Sequence, residues 1–158
     1  MSKLVIGICG KPCSGKSFLS DMITRDLLID CDKLSRQIFD ENLHTIKLML
    51  GFDHDPLAKE VADLVFNRRW YMFKRNKLYR RYTNFMWVEI TERIKEIIET
   101  TNAKTILIDA PLLKEAKLDK LCDTVISVGT KYALRLERAK KRGWSEEELK
   151  RRDAFFRS

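Results

Sequence analysis

The chain has few residues of the kinds that staple or metallate a fold. Its four cysteines, Cys9, Cys13, Cys31 and Cys122, form no Cys-x-x-Cys pair and no metal-ligand spacing, which argues against a disulfide framework or a zinc site and reads as reduced thiols. The two histidines, His44 and His54, have no partner at a metal or triad spacing and read as surface residues. No run of eighteen apolar residues occurs, so no membrane-spanning helix is expected. The N-terminus, Met1 to Cys9, has one lysine, a short apolar run and no small-residue cleavage site. It therefore reads as a buried strand and not as a signal peptide, and the expected location is the cytoplasm. There is no internal repeat, low-complexity tract or linker, so the 158 residues are expected to form one domain, 1–158. An apolar share of 44% is too high for a disordered tail.

Acidic residues are missing from one place in particular. Lys and Arg total 31 against 23 Asp and Glu, a net charge of +8, which points to anionic partners. Between Asp63 and Glu89 no acidic residue occurs, while Arg68, Arg69, Lys74, Arg75, Lys77, Arg80 and Arg81 supply seven positive charges. Trp70, Tyr71, Phe73, Tyr79 and Tyr82 lie among them. Basic residues mixed with aromatics can hold phosphates while stacking on bases; a solvated helical face over an aromatic core is the plainer alternative.

Hydrophobic patterning gives the fold class. Leu4 to Cys9, Leu27 to Cys31, Thr105 to Asp109 and Thr124 to Val128 read as four buried strands. Helical spacing predicts a helix from Lys16 to about Thr24 with Phe18, Leu19, Met22 and Ile23 on its face. Another runs from about Lys33 to Gly51, and a third carries Leu57, Val61, Leu64 and Val65 inward. A long helix follows with Met86, Ile90, Ile94, Ile97 and Ile98 as its stripe. Tyr132 to Lys141 is a further helix, and Ser145 with Glu148 is a capping box opening the last one. Strands alternating with helices mean α/β with a parallel sheet.

The sharpest motif is Gly10-Lys11-Pro12-Cys13-Ser14-Gly15-Lys16-Ser17. It fits G-x-x-x-x-G-K-[ST] between a predicted strand and a predicted helix, the context of a phosphate-binding loop. Glycines let successive N–H groups curl inward at phosphates, and the helix start adds its positive end. Lys16 then reaches the β and γ phosphates, and the Ser17 hydroxyl ligates Mg²⁺. Pro12 removes one amide donor, and Cys13 occupies a position where a small residue is wanted.

Phosphoryl transfer further needs a carboxylate to orient a hydroxyl or hold the metal. Asp30 and Asp32 stand at the end of the second strand and Asp109 at the end of the third, the edge where open parallel sheets bind ligands. Asp32 is also placed to cap the helix that follows, and Asp109 to be a turn residue before Pro111.

Five segments together resemble the dephospho-coenzyme A kinase family, in its order and over nearly the whole chain. They are the phosphate loop, Ile29 to Arg36, Val61 to Phe66, Pro111-Leu112-Leu113, and Arg142 to Glu148. The resemblance implies a P-loop NTPase-like three-layer α/β/α fold with a helical acceptor-binding insertion at about 52–101 and a lid at about 132–157. It implies ATP held by Gly10, Lys11, Pro12, Cys13, Ser14, Gly15, Lys16, Ser17 and Phe18, with Mg²⁺ on Ser17 and Asp109. Asp32 is implied as the base toward the ribose 3′-hydroxyl of dephospho-coenzyme A, with Asp30, Arg36, Pro111 and Leu112 as substrate contacts. Lid arginines are implied at Arg142, or Lys141 in the neighbouring register, and at Arg152. Arg75 and Arg81, from the basic stretch, are expected to neutralise the acceptor's pyrophosphate. Two departures stand out: the His-Pro that the family carries near the start of its long helix is replaced by Trp87 and Val88, and the chain is shorter than the family after the lid.

The leading reading is an ATP-dependent, Mg²⁺-assisted kinase of dephospho-coenzyme A, acting on small nucleotides and not on nucleic acid or membranes. The alternatives are a nucleoside or deoxynucleoside monophosphate kinase, which shares loop, lid and sheet, and a non-catalytic nucleic-acid binder on a kinase core. The sequence leaves the oligomeric state open.

Overall fold

A computed structural model describes residues 2–66 and 77–156; the expected site residue Arg75, with residues 68–76 of the basic-aromatic stretch, lies outside the described residues. The chain divides into two compact units, Met1–Cys31 with Ile97–Ser158, and Asp32–Glu96. No described helix is long and apolar enough to cross a membrane.

The first unit is a parallel sheet of β1 (Leu4–Gly10), β2 (Leu27–Asp30), β3 (Thr105–Asp109) and β4 (Thr124–Val128) in the order β2-β3-β1-β4. Ile106, Leu107 and Ile108 of β3 are buried, as are Val5, Ile8 and Cys9 of β1, so the two central strands read as unbroken apolar runs because both faces are covered. The expectation that β4 is equally buried does not hold: Thr124, Ile126 and Ser127 are exposed. β4 pairs only with β1, so among the described residues it is an edge strand. Register brings the strand ends together. Asp109 stands opposite Ile8 of β1 on one side and Asp30 of β2 on the other.

Helix α1 (Lys16–Met22) is shorter than its apolar spacing suggests, and Ile23 is already extended. Its face is also reversed from expectation: Ser20 is buried while Phe18 is 71% and Met22 66% exposed. Helices α6 (Tyr132–Lys141) and α7 (Glu146–Asp153) fall at the expected places. Half of the capping box forms: the Ser145 hydroxyl accepts from Glu148 N at 3.1 Å, which satisfies an amide that the helix itself leaves unpaired, while the Glu148 carboxylate turns to Arg151 and Arg152.

The second unit is helical: α2 (Cys31–Glu41), α3 (Leu43–Leu50), α4 (Ala58–Phe66) and α5 (Lys77–Thr100), the first and last of which run on into the sheet unit. The single helix expected up to Gly51 is broken at Asn42. The Asn42 side-chain amide donates to Ile38 O at 2.8 Å and competes for the last carbonyls of α2. Leu34, Ile38, Ile46, Val61, Val65, Met86, Ile90 and Ile94 supply its buried apolar surface. Leu57 and Leu64, expected inward, are exposed; Leu57 precedes α4. Arg93 pairs with Glu41 at 2.6 Å, holding α5 on α2 and keeping the Glu41 carboxyl below its ordinary range.

Candidate active site

The phosphate loop leaves β1 at Gly10 and turns at once, Ser14 N donating to Lys11 O at 3.1 Å. Two residues take left-handed backbone, Cys13 (φ 63°) and Gly15 (φ 93°). At Gly15 only glycine adopts this without strain; at Cys13 the cost is met by packing, since the thiol is buried in an apolar cluster with Ala139 and Leu149, flanked by Leu136 and Trp144. Cys13 is therefore an anchor of the loop on α6 and α7. Gly10 is required by space: a Cβ there would lie 2.6 Å from Ser14 Oγ.

Three consecutive carbonyls of the loop are tied from outside. Arg135 Nη1 donates to Pro12 O at 3.2 Å, Arg138 Nη1 to Cys13 O at 3.1 Å, and Thr130 Oγ1 to Ser14 O at 2.6 Å. In a trans peptide the N–H points opposite to the carbonyl. Tying Pro12 O and Ser14 O outward therefore turns the amides of Cys13 and Gly15 the other way, which is how a peptide nest presents donors to an anion. None of Thr130, Arg135 or Arg138 was among the residues expected from sequence. The available signal was two arginines three apart on the expected lid helix, which share one face.

On the other side, Lys16 makes an ion pair with Asp109, both side chains 15% exposed. The structure thus joins two of the expected residues, the loop lysine and the acid at the end of β3. Ser14 is 5% exposed and its hydroxyl has no hydrogen-bond partner among the described residues. Leaving a buried hydroxyl unsatisfied costs about 1–3 kcal/mol, and an incoming phosphate oxygen removes that cost. A cavity of about 550 Å³ opens beside the loop, lined in part by Gly10, Lys11, Ser14, Pro111, Lys114 and Thr130. Ser17 and Phe18 are exposed at the start of α1.

The remaining expected residues are placed as follows. Asp30 ends β2, half-buried, and Leu112 is half-buried in the turn after β3. Asp32 is exposed in the first turn of α2, which already begins at Cys31, so it is a helical residue and not the cap. Arg36 is exposed on α2, and Arg81 is exposed on α5 with Nη1 3.5 Å from Met49 O. The two expected lid arginines meet at one side chain: Arg152 Cζ lies 4.1 Å from the Trp144 ring centre and Arg142 Cζ 5.8 Å. Arg152 also donates to Glu148 at 2.8 Å, and the Glu148 carboxyl is held below its ordinary range by Arg151 first and then by Arg152.

A family model described as dephospho-CoA kinase matches residues 4–155. The chain belongs to the dephospho-CoA kinase family. It is thus a phosphotransferase, an ATP-dependent kinase with nucleotide substrates. The dephospho-CoA kinase of Fusobacterium nucleatum is 28% identical over 159 residues, covering 94% of this chain and 78% of that protein. That of Borreliella burgdorferi is 28% identical over 134 residues, covering 83% and 64%. The fold matches the crystal structure of TT1252 from Thermus thermophilus at a TM-score of 0.75 and 21% identity, over 97% of this chain and 80% of that one.

Proposed function

We propose that this chain transfers the γ-phosphoryl group of ATP to the 3′-hydroxyl of dephospho-CoA, giving CoA and ADP, the last step of coenzyme A synthesis. The observation that carries the reading is the phosphate loop itself: its carbonyls are tied outward, its buried Ser14 hydroxyl lacks a partner among the described residues and Lys16 stands on the Asp109 carboxylate. This lies in a chain that the family model matches from residue 4 to 155.

Lys16 exchanges the Asp109 carboxylate for β and γ phosphate oxygens as ATP enters, and the amides of Cys13 and Gly15 with the Ser14 hydroxyl complete the cradle. Asp32 orients the 3′-hydroxyl and takes its proton as the oxygen–phosphorus bond forms and the bond from the γ phosphorus to the bridging oxygen breaks. Arg36 and Arg81 bind the anionic acceptor, and Arg142 and Arg152 leave Trp144 to cover the transferring group. The insertion at about 52–101 is the acceptor-binding part and 132–157 the lid. The donor set suits Mg²⁺, since the Ser17 hydroxyl and the Asp109 carboxylate are hard oxygen ligands and no cluster of three or more metal-binding side chains occurs among the described residues. Magnesium sites commonly rest on one or two protein oxygens plus substrate phosphates. When bound, the ion neutralises charge on the β and γ phosphates. Both substrates are water-soluble nucleotides, in keeping with a cytoplasmic enzyme.

The test is a panel of acceptors with ATP and Mg²⁺, with the product's phosphate located by mass spectrometry. Faster ADP formation with dephospho-CoA than with any nucleoside monophosphate, and a new 3′-phosphate, is the expected result. Preference for a monophosphate would assign a different kinase, and salt-sensitive oligonucleotide binding without turnover would assign a non-catalytic role.

A further inference from the structure

The catalytic reading gives no role to Asp153, the carboxylate that holds one of the loop's ties, the buried Arg135. Arg135 is 5% exposed in the middle of α6, where an arginine is rarely found unless it is fully paired. Its guanidinium donates from Nη1 to Asp153 Oδ1 and from Nη2 to Asp153 Oδ2, both at 2.8 Å, and Nη1 donates as well to Pro12 O at 3.2 Å. It also lies over the Tyr132 ring, with Cζ 5.6 Å from the ring centre. The planar fork of arginine makes two parallel bonds to one carboxylate, which fixes its orientation as well as its charge.

We infer that Arg135, oriented by Asp153 of α7, is a positioning residue for nucleotide binding: it sets the Pro12 peptide and so aims the Cys13 amide into the phosphate loop. This rests on the loop being the ATP site proposed above. Asp153 holds the guanidinium in one plane, the guanidinium holds Pro12 O, and the trans peptide passes that orientation to the Cys13 N–H. Cys13 is in left-handed backbone, so the loop does not hold this conformation by local preference and needs an external tie. Arg138 and Thr130 hold the next two carbonyls, but of these three ties Arg135 is the one that also bonds α7, adding a polar link to the apolar contact of Cys13 with Leu149 and making the nucleotide cradle dependent on the seating of the last described helix.

A lysine at this position keeps one positive charge but lacks the planar fork that grips both Asp153 oxygens, so its ammonium is not held in one orientation against Pro12 O. Arg135→Lys is therefore expected to weaken ADP binding on the order of tenfold and to raise the KM for ATP to match, with the KM for dephospho-CoA unchanged. Breaking a buried pair by removing one partner can unfold the lid, whereas replacing both partners by apolar residues of similar size often leaves stability intact. The double variant Arg135→Met with Asp153→Leu separates these effects. Its thermal midpoint is expected to stay near that of the parent while ADP affinity falls as in Arg135→Lys. Glu147→Gln, on the exposed side of α7, is the control that keeps parental affinity.

Parental ADP affinity in Arg135→Lys, or in a double variant that melts like the parent, would overturn the inference. So would a loss in Arg135→Lys that appears only as a lower melting point. If the unaltered protein itself fails to bind ADP saturably, the ATP-site reading fails and not this one alone.

Discussion

The sheet unit and the helical unit place their chemistry by different means. In the sheet unit, strand register and backbone hydrogen bonds fix Asp109 beside Asp30 and leave the phosphate loop at the end of β1. The loop carbonyls of Pro12, Cys13 and Ser14 and the Lys16 ammonium are each tied to a partner there. In the helical unit the residues assigned to the acceptor, Asp32, Arg36 and Arg81, are exposed on helix surfaces. A donor site that serves one invariant triphosphate can be built rigidly from contiguous residues. An acceptor site assembled from dispersed side chains owes its specificity to each of them, and substitutions should split cleanly by unit.

The largest effect is expected at Lys16. Lys16→Ala removes the ammonium assigned to the β and γ phosphates and should lower kcat/KM by about a thousandfold or more, measured by coupled ADP release. Parental activity would dissolve the distinction between the units at its strongest point. Next comes Asp32→Asn, which should lower kcat by roughly a hundred- to ten-thousandfold. Its ADP affinity should stay at the parental value, and a joint loss of both would mean that Asp32 serves the donor as well. Gly10→Ala is a smaller change of the same loop: its added methyl meets Ser14 Oγ at 2.6 Å, for a destabilisation of about 1–3 kcal/mol and weaker ADP binding. Chemical melts with and without ADP read both quantities.

The smallest effect lies in the turn between α3 and α4. His54 donates to Asp53 at 2.7 Å and to Glu60 at 2.9 Å, and its pKa is raised by Asp53 first and Glu60 second. The folded value lies above the unfolded one, so the stabilisation is fully present below the ordinary histidine range and is lost as pH rises through the raised value. An NMR titration of His54 should show the upward shift, and Asp53→Asn should reduce it, with the Glu60 contribution remaining.

Much of the sheet unit could be read from the residues. The apolar runs gave β3, β4 and α6, and the Ser145 N-cap was legible as well, because each depends on neighbours in the chain. What could not be read depends on tertiary position. Val125 and Ile126 look as buried in sequence as Ile106 and Leu107, and only the strand order shows that β4 is an edge. Phe18 and Met22 have helical spacing, yet α1 turns Ser20 inward. At the site the loop was legible because its chemistry is contiguous, whereas Arg135 is 123 residues from the carbonyl it holds. An arginine on a charged helix gives no sign that it is buried. The break at Asn42 came from a side chain competing for backbone, which periodicity does not register.

The most direct test is calorimetric titration of the unaltered protein with ADP at physiological magnesium. Saturable binding at one site per chain, lost in Lys16→Ala, is the result that a tied phosphate loop requires. Heat that never saturates, or equal binding by the alanine variant, would contradict it.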